Sequence, residues 1–456
     1  MLTRLILPDI EAMLAQKNYK ELREALIELD PVDIAETINT LTAEERAIVF
    51  RILPRNFSAD VFEYLPFDEQ EELMHSLGRE QVSALLNDMD PDDRTQLLEE
   101  LPGKVTKRVM ELLTPQERSV AVTLLGYPED SVGRRMTPEY TAIHQGWTVE
   151  QTILHVRKIG REKETINILY VVDDNDHLIA YVKLRSLIFS EPTTLIKDIM
   201  NQQVIALNAF DDQESASEAM IRYDLPILPV VDSDGTLVGI VTSDDVFDVV
   251  VEETTEDMHR MGGLSALEEP YFNASFLTLV RKRGGWLLLL FLGEMIVVSV
   301  MESFETTIQG ATALVLFLPL VISSGGNSGS QAATLVIRAL AVQDVRLRDW
   351  FRVFQRELLS GFILGAFLGS IAFIRVYIWP GEHPEHWILL GSTITLAVTS
   401  VVLCGALLGS MLPFLLRSLG FDPALSSTPL VATLSDTIGV IIYFTLSIFL
   451  LQGTIL

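Results

Sequence analysis

Residues 428–451, TPLVATLSDTIGVIIYFTLSIFLL, form an apolar stretch that is long enough to cross a membrane, and Asp436 is its only charged side chain. A carboxylate at the centre of a bilayer helix costs roughly 2.5–3.5 kcal/mol on insertion scales, so it requires a partner or water. Because the stretch contains no lysine or arginine, a cation is the partner that its composition favours. The stretch therefore predicts a cation pathway or, as the alternative, a hydrogen-bonded aspartate that joins two helices.

Four further apolar runs precede this stretch, and each is long enough to span a bilayer. Arg281, Lys282 and Arg283 come just before the first run, and Arg417 lies between the fourth and the fifth. Because basic residues favour the cytosolic side, these positions orient the spans and place the C-terminus outside. The loops on the opposite side carry glutamates and no lysine or arginine, which attracts cations. The predicted spans are residues 284–301, 311–340, 358–379, 387–416 and 428–452.

The formal charge divides the chain into two parts of different character. Residues 272–456 carry ten basic and ten acidic side chains, so the whole net charge of −28 falls on residues 1–271. This acidic part repels nucleic acid, which we do not expect as a partner, and it attracts cations. Its periodic apolar residues exclude a disordered acidic tail. The only cysteine, Cys404, lies in an apolar run; no intramolecular disulfide is possible, which fits a cytosolic location for the acidic part.

Residues 1–130 contain a repeat with a period of twelve residues. Most steps of the repeat are followed by proline or an acidic residue, which is how helices begin. Within each unit the apolar residues lie at helical spacing, which predicts a solenoid of short helices. An acidic group of Asp88, Asp90, Asp92 and Asp93 indicates either helix capping with a solvated face or a binding role. The repeated positions are Leu29, Leu41, Leu53, Leu65, Leu77, Met89, Leu101, Leu113 and Leu125.

Two copies of a strand and helix pattern follow, in residues 131–195 and 196–253. Each copy contains a buried strand that ends in an acidic turn and then a second apolar strand, which is LVGIVT at 237–242 in the second copy. The pattern resembles a tandem pair of CBS domains, and the second copy carries the closer match. The resemblance implies a cleft between the copies that holds an adenine nucleotide such as ATP, with Thr242 and Asp245 at its ribose or phosphates.

Acidic residues continue into residues 254–275, a connector for which we predict a helix over 256–267 that leads to the first span. On a helix, Asp245, Asp248 and Glu252 share one face, where like charges oppose each other. Such a face without lysine or arginine is typical of a divalent-cation sensor, in which a hard cation bridges carboxylates. A solvated acidic helix is the alternative.

Two of the spans are predicted to be interrupted near a buried carboxylate. The second contains the glycine-rich run PLVISSGGNSGSQ at 319–331, and the fifth is preceded by FDPALSSTP at 421–429. Non-helical backbone at membrane depth is tolerated where protein packs it or where it lines water. Glu294 in the first span is a further acidic residue deep in a span. The arrangement is typical of a cation pore or transporter, and close packing of small residues is the alternative.

The glycine-rich run with Asn327, and the motif PLVATLSDTIG that contains Asp436, resemble the MgtE family of magnesium channels. The resemblance implies a multi-domain membrane protein: an α-helical solenoid N-domain, tandem α+β CBS domains, a connecting plug helix and a five-helix transmembrane domain at 276–456. It also implies a homodimer in a bacterial plasma (inner) membrane, with the pore between the subunits and Asp436 of each subunit at a hydrated Mg²⁺.

The family's functional positions are carried over residue by residue. The resemblance implies Mg²⁺ uptake gated by intracellular Mg²⁺, which bridges the acidic faces and closes the pore. A transporter of other divalent cations such as Co²⁺ or Mn²⁺, or a cation sensor that conducts nothing, are the alternatives; an enzyme is not expected. The implied pore-lining positions are Asn327, Leu425, Ala432, Thr433 and Gly439. The implied sensor positions are Asp88, Asp92, Asp212, Glu214, Asp224, Asp245, Asp248, Glu253, Glu256 and Asp257.

Overall fold

The computed structural model describes residues 2–267, 271, 274–310, 312–342, 344–379, 384–452 and 454. The chain divides into two compact units, residues 1–250 and 251–456. The first unit contains a helical solenoid and two α+β copies, and the second contains the long apolar helices. The fold class predicted from the sequence is confirmed, and two helices differ from their predicted extent.

Ten short helices lie in the part of the solenoid that the structure describes. They are α1 (Leu2–Ala15), α2 (Tyr19–Ile27), α3 (Pro31–Asn39), α4 (Ala43–Ile52), α5 (Arg55–Glu63), α6 (Phe67–Ser76), α7 (Arg79–Asp88), α8 (Pro91–Glu100), α9 (Gly103–Met110) and α10 (Pro115–Leu124).

The starts of these helices follow from the local sequence. Pro91 and Pro115 occupy the first helical position, where the missing N–H removes no intrahelical bond. At the start of α4, the Thr42 hydroxyl accepts a hydrogen bond from the backbone N–H of Glu45, whose carboxylate accepts one in return. The repeated apolar positions from 41 to 113 are all buried in one core, as the period predicts.

One polar position recurs at twice the apolar period. Arg46, Gln70, Arg94 and Arg118 follow one another at steps of 24 residues, and each donates a hydrogen bond to the backbone carbonyl eight residues earlier, at 3.3, 2.9, 3.1 and 2.7 Å respectively. These carbonyls lie at the C-terminal ends of helices, where the helix itself supplies no donor. The structural unit of the solenoid is therefore a pair of helices.

Replacing Arg94 with alanine is expected to destabilise the protein by about 3–5 kcal/mol. Arg94 is completely buried, donates to the carbonyls of Leu86 and Met89, and pairs with Glu117, so its removal leaves buried acceptors without donors. Thermal unfolding of the full chain in detergent should show a lower transition temperature. Arg118→Ala is the matched control, because Arg118 occupies the same repeat position but is exposed; an equal shift in the two variants would contradict this account.

The two α+β copies share one topology. Each contains a three-stranded sheet in which the first two strands are parallel and the last two antiparallel. Both copies show a shift of register at the equivalent point, after Val171 and after Val230. The elements are β1 (Ala142–His144), α11 (Val149–Ile159), β2 (Ile168–Val172), β3 (Leu178–Lys183), α12 (Leu184–Phe189), β4 (Leu207–Asn208), α13 (Glu214–Tyr223), β5 (Ile227–Val231), β6 (Leu237–Thr242) and α14 (Ser243–Met261).

The connector is not a separate helix, which corrects the prediction for residues 256–267. The last helix of the second copy, α14, continues from Ser243 to Met261 because no glycine or proline interrupts that segment. It ends before Gly263, whose φ of 71° lies in the left-handed region that terminates helices. Asp245 near the start of α14 and Glu256 near its end therefore belong to one continuous helix.

The second unit contains five helices that are long and apolar enough to cross a membrane, counted over the described residues. A short helix, α16 (Glu305–Gly310), follows the first of them. The five long helices are α15 (Phe276–Glu302), α17 (Thr312–Ala341), α18 (Trp350–Ile378), α19 (Trp387–Ser418) and α20 (Thr428–Leu451).

The glycine-rich run does not interrupt its helix, which corrects the second prediction. Helix α17 is continuous through residues 319–331. A Cβ atom on Gly409 of α19 would collide with the carbonyl oxygen of Gly329, so the two backbones touch. The Ser328 hydroxyl donates to the carbonyl of Val402 at 3.1 Å. Close helix packing, the alternative considered for this run, is what the structure shows.

The run before the fifth span does depart from α-helix, as predicted. A 3₁₀ turn covers Pro423–Leu425, and α20 begins at Thr428. The Ser427 hydroxyl accepts a hydrogen bond from the backbone N–H of Leu430, which fixes the start of α20.

Candidate cation sites and a nucleotide cleft

Asp436 lies on α20 about two turns from its start and is half-buried within the second unit. Helix α17 presents Gly326 to it, and a Cβ atom on Gly326 would lie 3.4 Å from Oδ1 of Asp436. In the described part of the chain, no hydrogen bond or ion pair joins Asp436 to another residue. This geometry favours a cation as the partner of the carboxylate over a hydrogen bond between helices.

Two of the predicted pore-lining residues share the surroundings of Asp436. Ala432 lies one turn earlier on α20 and also faces Gly326, since its Cβ is 3.6 Å from the position that a Cβ of Gly326 would take. Thr433 faces α15, where its methyl group would lie 2.8 Å from a Cβ on Gly293. These contacts bring α15, α17 and α20 together at the depth of Asp436.

The other three predicted pore-lining residues have different surroundings. Gly439 is buried, and a Cβ there would lie 3.3 Å from Val401 of α19. Leu425 ends the 3₁₀ turn that precedes α20. Asn327 is exposed on α17 and its amide lies 3.4 Å from the hydroxyl of Ser323.

In the first unit, three of the predicted sensor carboxylates meet at one cavity. Asp92 of α8 and Asp245 and Asp248 of α14 line it, together with Arg134 and Arg135. Its volume of about 10 Å³ suits one water-sized species. Burial and the charge of Asp245 raise the pKa of Asp92, and burial raises the pKa of Asp245 to about 6 even though Thr242 donates a hydrogen bond to it. A bound hard cation would relieve this unfavourable crowding of charge.

A second carboxylate cluster lies beside this one, and the sequence prediction missed it. One oxygen each from Glu63, Asp90 and Asp93 lies within 4.8 Å of the others. Burial, followed by the charge of Asp93, raises the pKa of Glu63 to about 8; burial, followed by the charge of Asp245, raises that of Asp93 to about 7. The acidic group in the sequence includes Asp90 and Asp93 but not Glu63. Glu63 lies 27 residues before Asp90 and accepts a hydrogen bond from the backbone N–H of Asp90.

The remaining predicted sensor residues of the first unit lie elsewhere. Asp88 pairs with Arg55 through two hydrogen bonds of 2.5 and 3.0 Å, so its charge is already compensated. Asp212 accepts a hydrogen bond from the backbone N–H of Glu214 at the start of α13, at 2.9 Å. Asp224 ends α13 in the left-handed conformation and lines the cleft between the two α+β copies.

That cleft has a volume of about 580 Å³, which is in the range of small-molecule sites. Tyr170, Tyr181, Lys183 and Thr242 line it. The hydroxyl of Tyr170 is buried and has no hydrogen-bond partner among the described residues. Asp245 does not line the cleft but accepts a hydrogen bond of 2.6 Å from the Thr242 hydroxyl. Aromatic faces, one lysine and an unused donor fit an aromatic base with a phosphate.

The last predicted sensor residues lie in the second unit, near the end of α14. Arg260 pairs with both Glu256 and Asp422, and Asp422 stands at the entry to α20. Burial, with the charge of Asp422 as the next cause, raises the pKa of Asp257. Glu253 lies about one turn before these residues on α14. The sequence prediction missed the link from Arg260 to Asp422, because these residues are separated by 162 positions.

Three family models match separate parts of the chain. A divalent cation transporter model, MgtE, matches residues 318–446. A model of the MgtE intracellular N domain matches residues 29–130, and a CBS domain model matches residues 196–252. The order of the matches is the order of the domains described above.

Whole-chain relatives and solved structures agree with these matches. The magnesium transporter MgtE of Thermus thermophilus is 39% identical over 98% of this chain and 98% of its own length, and that of Bacillus subtilis is 30% identical over 95% and 94%. The crystal structure of the cytosolic domain of the Mg²⁺ channel MgtE in complex with ATP is 35% identical, covers 53% of this chain and 99% of its own length, and has a TM-score of 0.52. The chain belongs to the MgtE family of divalent cation transporters.

Proposed function

We propose that this protein carries Mg²⁺ into the cell across the plasma membrane, and that Asp436 contacts the ion on its path. The observation that carries the proposal is a carboxylate within an apolar helix that has no hydrogen-bonding or ionic partner in the described residues. Such a group is stable in a membrane when a cation or water faces it. The names of the two relatives that align along nearly the whole chain support Mg²⁺ as the ion.

The path is proposed to lie between two subunits of a homodimer. Within one subunit Asp436 is only half-buried, and Glu294 of α15 is exposed, so a second copy is needed to cover these charged positions. Mg²⁺ releases its water reluctantly, and two carboxylates that contact the water shell fit that chemistry better than a cage of protein ligands. The basic segments orient the N-terminal domains to the cytosol and the C-terminus outside.

Gating is proposed to depend on Mg²⁺ at the acidic clusters of the first unit. When Mg²⁺ is scarce, the charges of Asp92, Asp245 and Asp248 repel one another and disfavour the arrangement in which they meet. When Mg²⁺ is abundant, bound ions compensate the charges and stabilise that arrangement, which corresponds to the closed pore. An ion shifts such an equilibrium only by binding one state more tightly, and the crowding of carboxylates supplies that difference.

The signal is proposed to reach the pore through α14. This helix is continuous from the carboxylates at its start to Arg260 at its end, and Arg260 pairs with Asp422 at the entry to α20. Helix α20 carries Asp436. A displacement of α14 therefore acts on the helix that holds the permeation residue.

Uptake into proteoliposomes that contain a fluorescent Mg²⁺ indicator tests the transport function. Reconstituted protein should admit Mg²⁺ faster than protein-free vesicles. Parallel assays with Co²⁺ and Mn²⁺ show whether another divalent cation is the preferred substrate. Vesicles that admit no divalent cation would overturn the proposal and would favour the alternative of a cation sensor.

We also propose that ATP binds in the cleft between the CBS copies, and we expect it to raise the unfolding temperature. The size of the cleft, the free hydroxyl of Tyr170 and the position of Lys183 support this assignment. At a hundredfold excess over its dissociation constant, a ligand stabilises the native state by about 2.7 kcal/mol. Differential scanning fluorimetry should show a shift with ATP that is lost in Lys183→Ala and kept in Lys104→Ala, since Lys104 is exposed on the solenoid. Equal shifts in both variants would contradict the site.

A further inference from the structure

Glu294 is a carboxylate at membrane depth for which no role has been assigned. It lies eleven residues after Arg283, at the cytosolic edge, and eight residues before Glu302, at the outer end of α15. At 1.5 Å per helical residue it is about 16 Å from the first position and about 12 Å from the second. This depth is within the hydrocarbon region of a bilayer, which is about 30 Å thick.

The side chain of Glu294 is exposed on the single subunit. In the described part of the chain, no hydrogen bond or ion pair joins it to another residue. A carboxylate that faced lipid at this depth would be strongly unfavourable. The exposed position is therefore one that water or another subunit covers in the membrane.

The packing of α15 on α20 places Glu294 close in depth to Asp436. A Cβ atom on Gly293 would lie 2.8 Å from the methyl group of Thr433, so these two residues stand at one level. Basic residues lie in the first turns of α15, at Arg281–Arg283, and before α20, at Arg417, so both helices are expected to run outward in the same direction. With Gly293 level with Thr433, Glu294 and Asp436 differ in depth by about 3 Å. Val297, one turn after Gly293, is buried on the same side of α15, and Glu294 lies at the edge of this face.

We propose that Glu294 is a second cation-contacting residue of the permeation path, which acts with Asp436 on the water shell of a divalent ion. The inference rests on the proposed transport function and extends it to selectivity. Electrostatic attraction to a carboxylate doubles when the charge of the ion doubles. A second carboxylate at the depth of Asp436 therefore strengthens the binding of divalent ions more than that of monovalent ions.

Uptake measurements test the energetic part of the proposal. Glu294→Gln removes the charge and keeps the shape, and it should raise the half-saturating Mg²⁺ concentration by roughly tenfold. Glu294→Asp keeps the charge and should restore most of the affinity. A half-saturating concentration in Glu294→Gln equal to that of the wild type would overturn the proposal.

Cysteine labelling tests the position of Glu294 independently of transport. The chain has one cysteine, so Cys404→Ala provides a background in which Glu294→Cys and Leu292→Cys are compared as full-length protein in vesicles. A membrane-impermeant cationic thiosulfonate should label Glu294→Cys, Mg²⁺ should slow the labelling, and Leu292→Cys, exposed on another side of α15, should stay unlabelled. Absence of labelling at Glu294→Cys, or labelling that Mg²⁺ does not slow, would overturn the proposal. Failure of the wild type to transport would overturn the proposed function alone, because labelling does not require flux.

Discussion

Replacement of Asp436 by alanine is expected to reduce Mg²⁺ uptake by proteoliposomes at least tenfold, towards the rate of protein-free vesicles. In the described residues no hydrogen bond or ion pair joins the carboxylate to another residue, and Gly326 of α17 lies next to its Oδ1. A hydrogen bond to a charged group contributes about 1.5–3 kcal/mol, and the proposed homodimer would lose two such groups. The path would then offer the hydrated ion only the dipoles and apolar groups around Ala432 and Thr433.

Two further variants separate the loss of charge from a loss of structure. Asp436→Asn has nearly the shape of the native side chain, and we expect it to be as inactive as Asp436→Ala. Asp349→Asn removes a carboxylate from the same unit, at a turn where Asp349 accepts a bond from the backbone N–H of Arg346, and should keep its uptake. Uptake in Asp436→Asn at the wild-type rate would show that the charge of Asp436 is not needed for permeation and that the residue has a structural role.

Neutralising Asp245 and Asp248 together is expected to raise, by about tenfold or more, the Mg²⁺ concentration on the domain side that half-inhibits uptake. Each carboxylate contributes about 1.5–3 kcal/mol to a bound cation through its charged contacts. The substitutions also relieve repulsion among Asp92, Asp245 and Asp248, but a divalent ion attracts each carboxylate with twice the charge with which one carboxylate repels another. The closed state therefore loses more stabilisation from the missing ion than it gains from the reduced repulsion between carboxylates.

The measurement is uptake by oriented vesicles at a series of Mg²⁺ concentrations on the domain side. Glu24→Gln is the control, because Glu24 is an exposed solenoid carboxylate whose i,i+4 partner is Lys20, and it should leave the half-inhibiting concentration unchanged. If the double variant and this control responded to Mg²⁺ like the wild type, the acidic cavity would not be the sensor.

The elements that the sequence predicted well are those defined by local periodicity. The twelve-residue recurrence of leucine marks the solenoid because each helix buries one apolar stripe. The five spans follow from length and hydropathy, which depend on neighbouring residues alone. Their orientation rests on basic segments such as Arg281–Arg283 and remains a prediction.

The features that the sequence did not predict depend on distant partners. The glycines in 319–331 predict a break, yet Gly405 and Gly409 of α19 form a surface against which α17 stays helical. Glu63 joins Asp90 and Asp93 only once the solenoid helices have stacked. No local pattern connects side chains that are far apart in sequence, and one sequence alone does not show which residue pairs come into contact in the fold.

The central claim is that Mg²⁺ passes through this protein and that Mg²⁺ at the cytosolic domains closes the path. Uptake by wild-type protein, in vesicles with the N-terminal domains exposed to a bath of controlled composition, tests both parts in one experiment. The account predicts rapid Mg²⁺ flux when that bath is nearly free of Mg²⁺ and strong suppression when it contains millimolar Mg²⁺. A flux that is absent, or one that is the same at both concentrations, would contradict it.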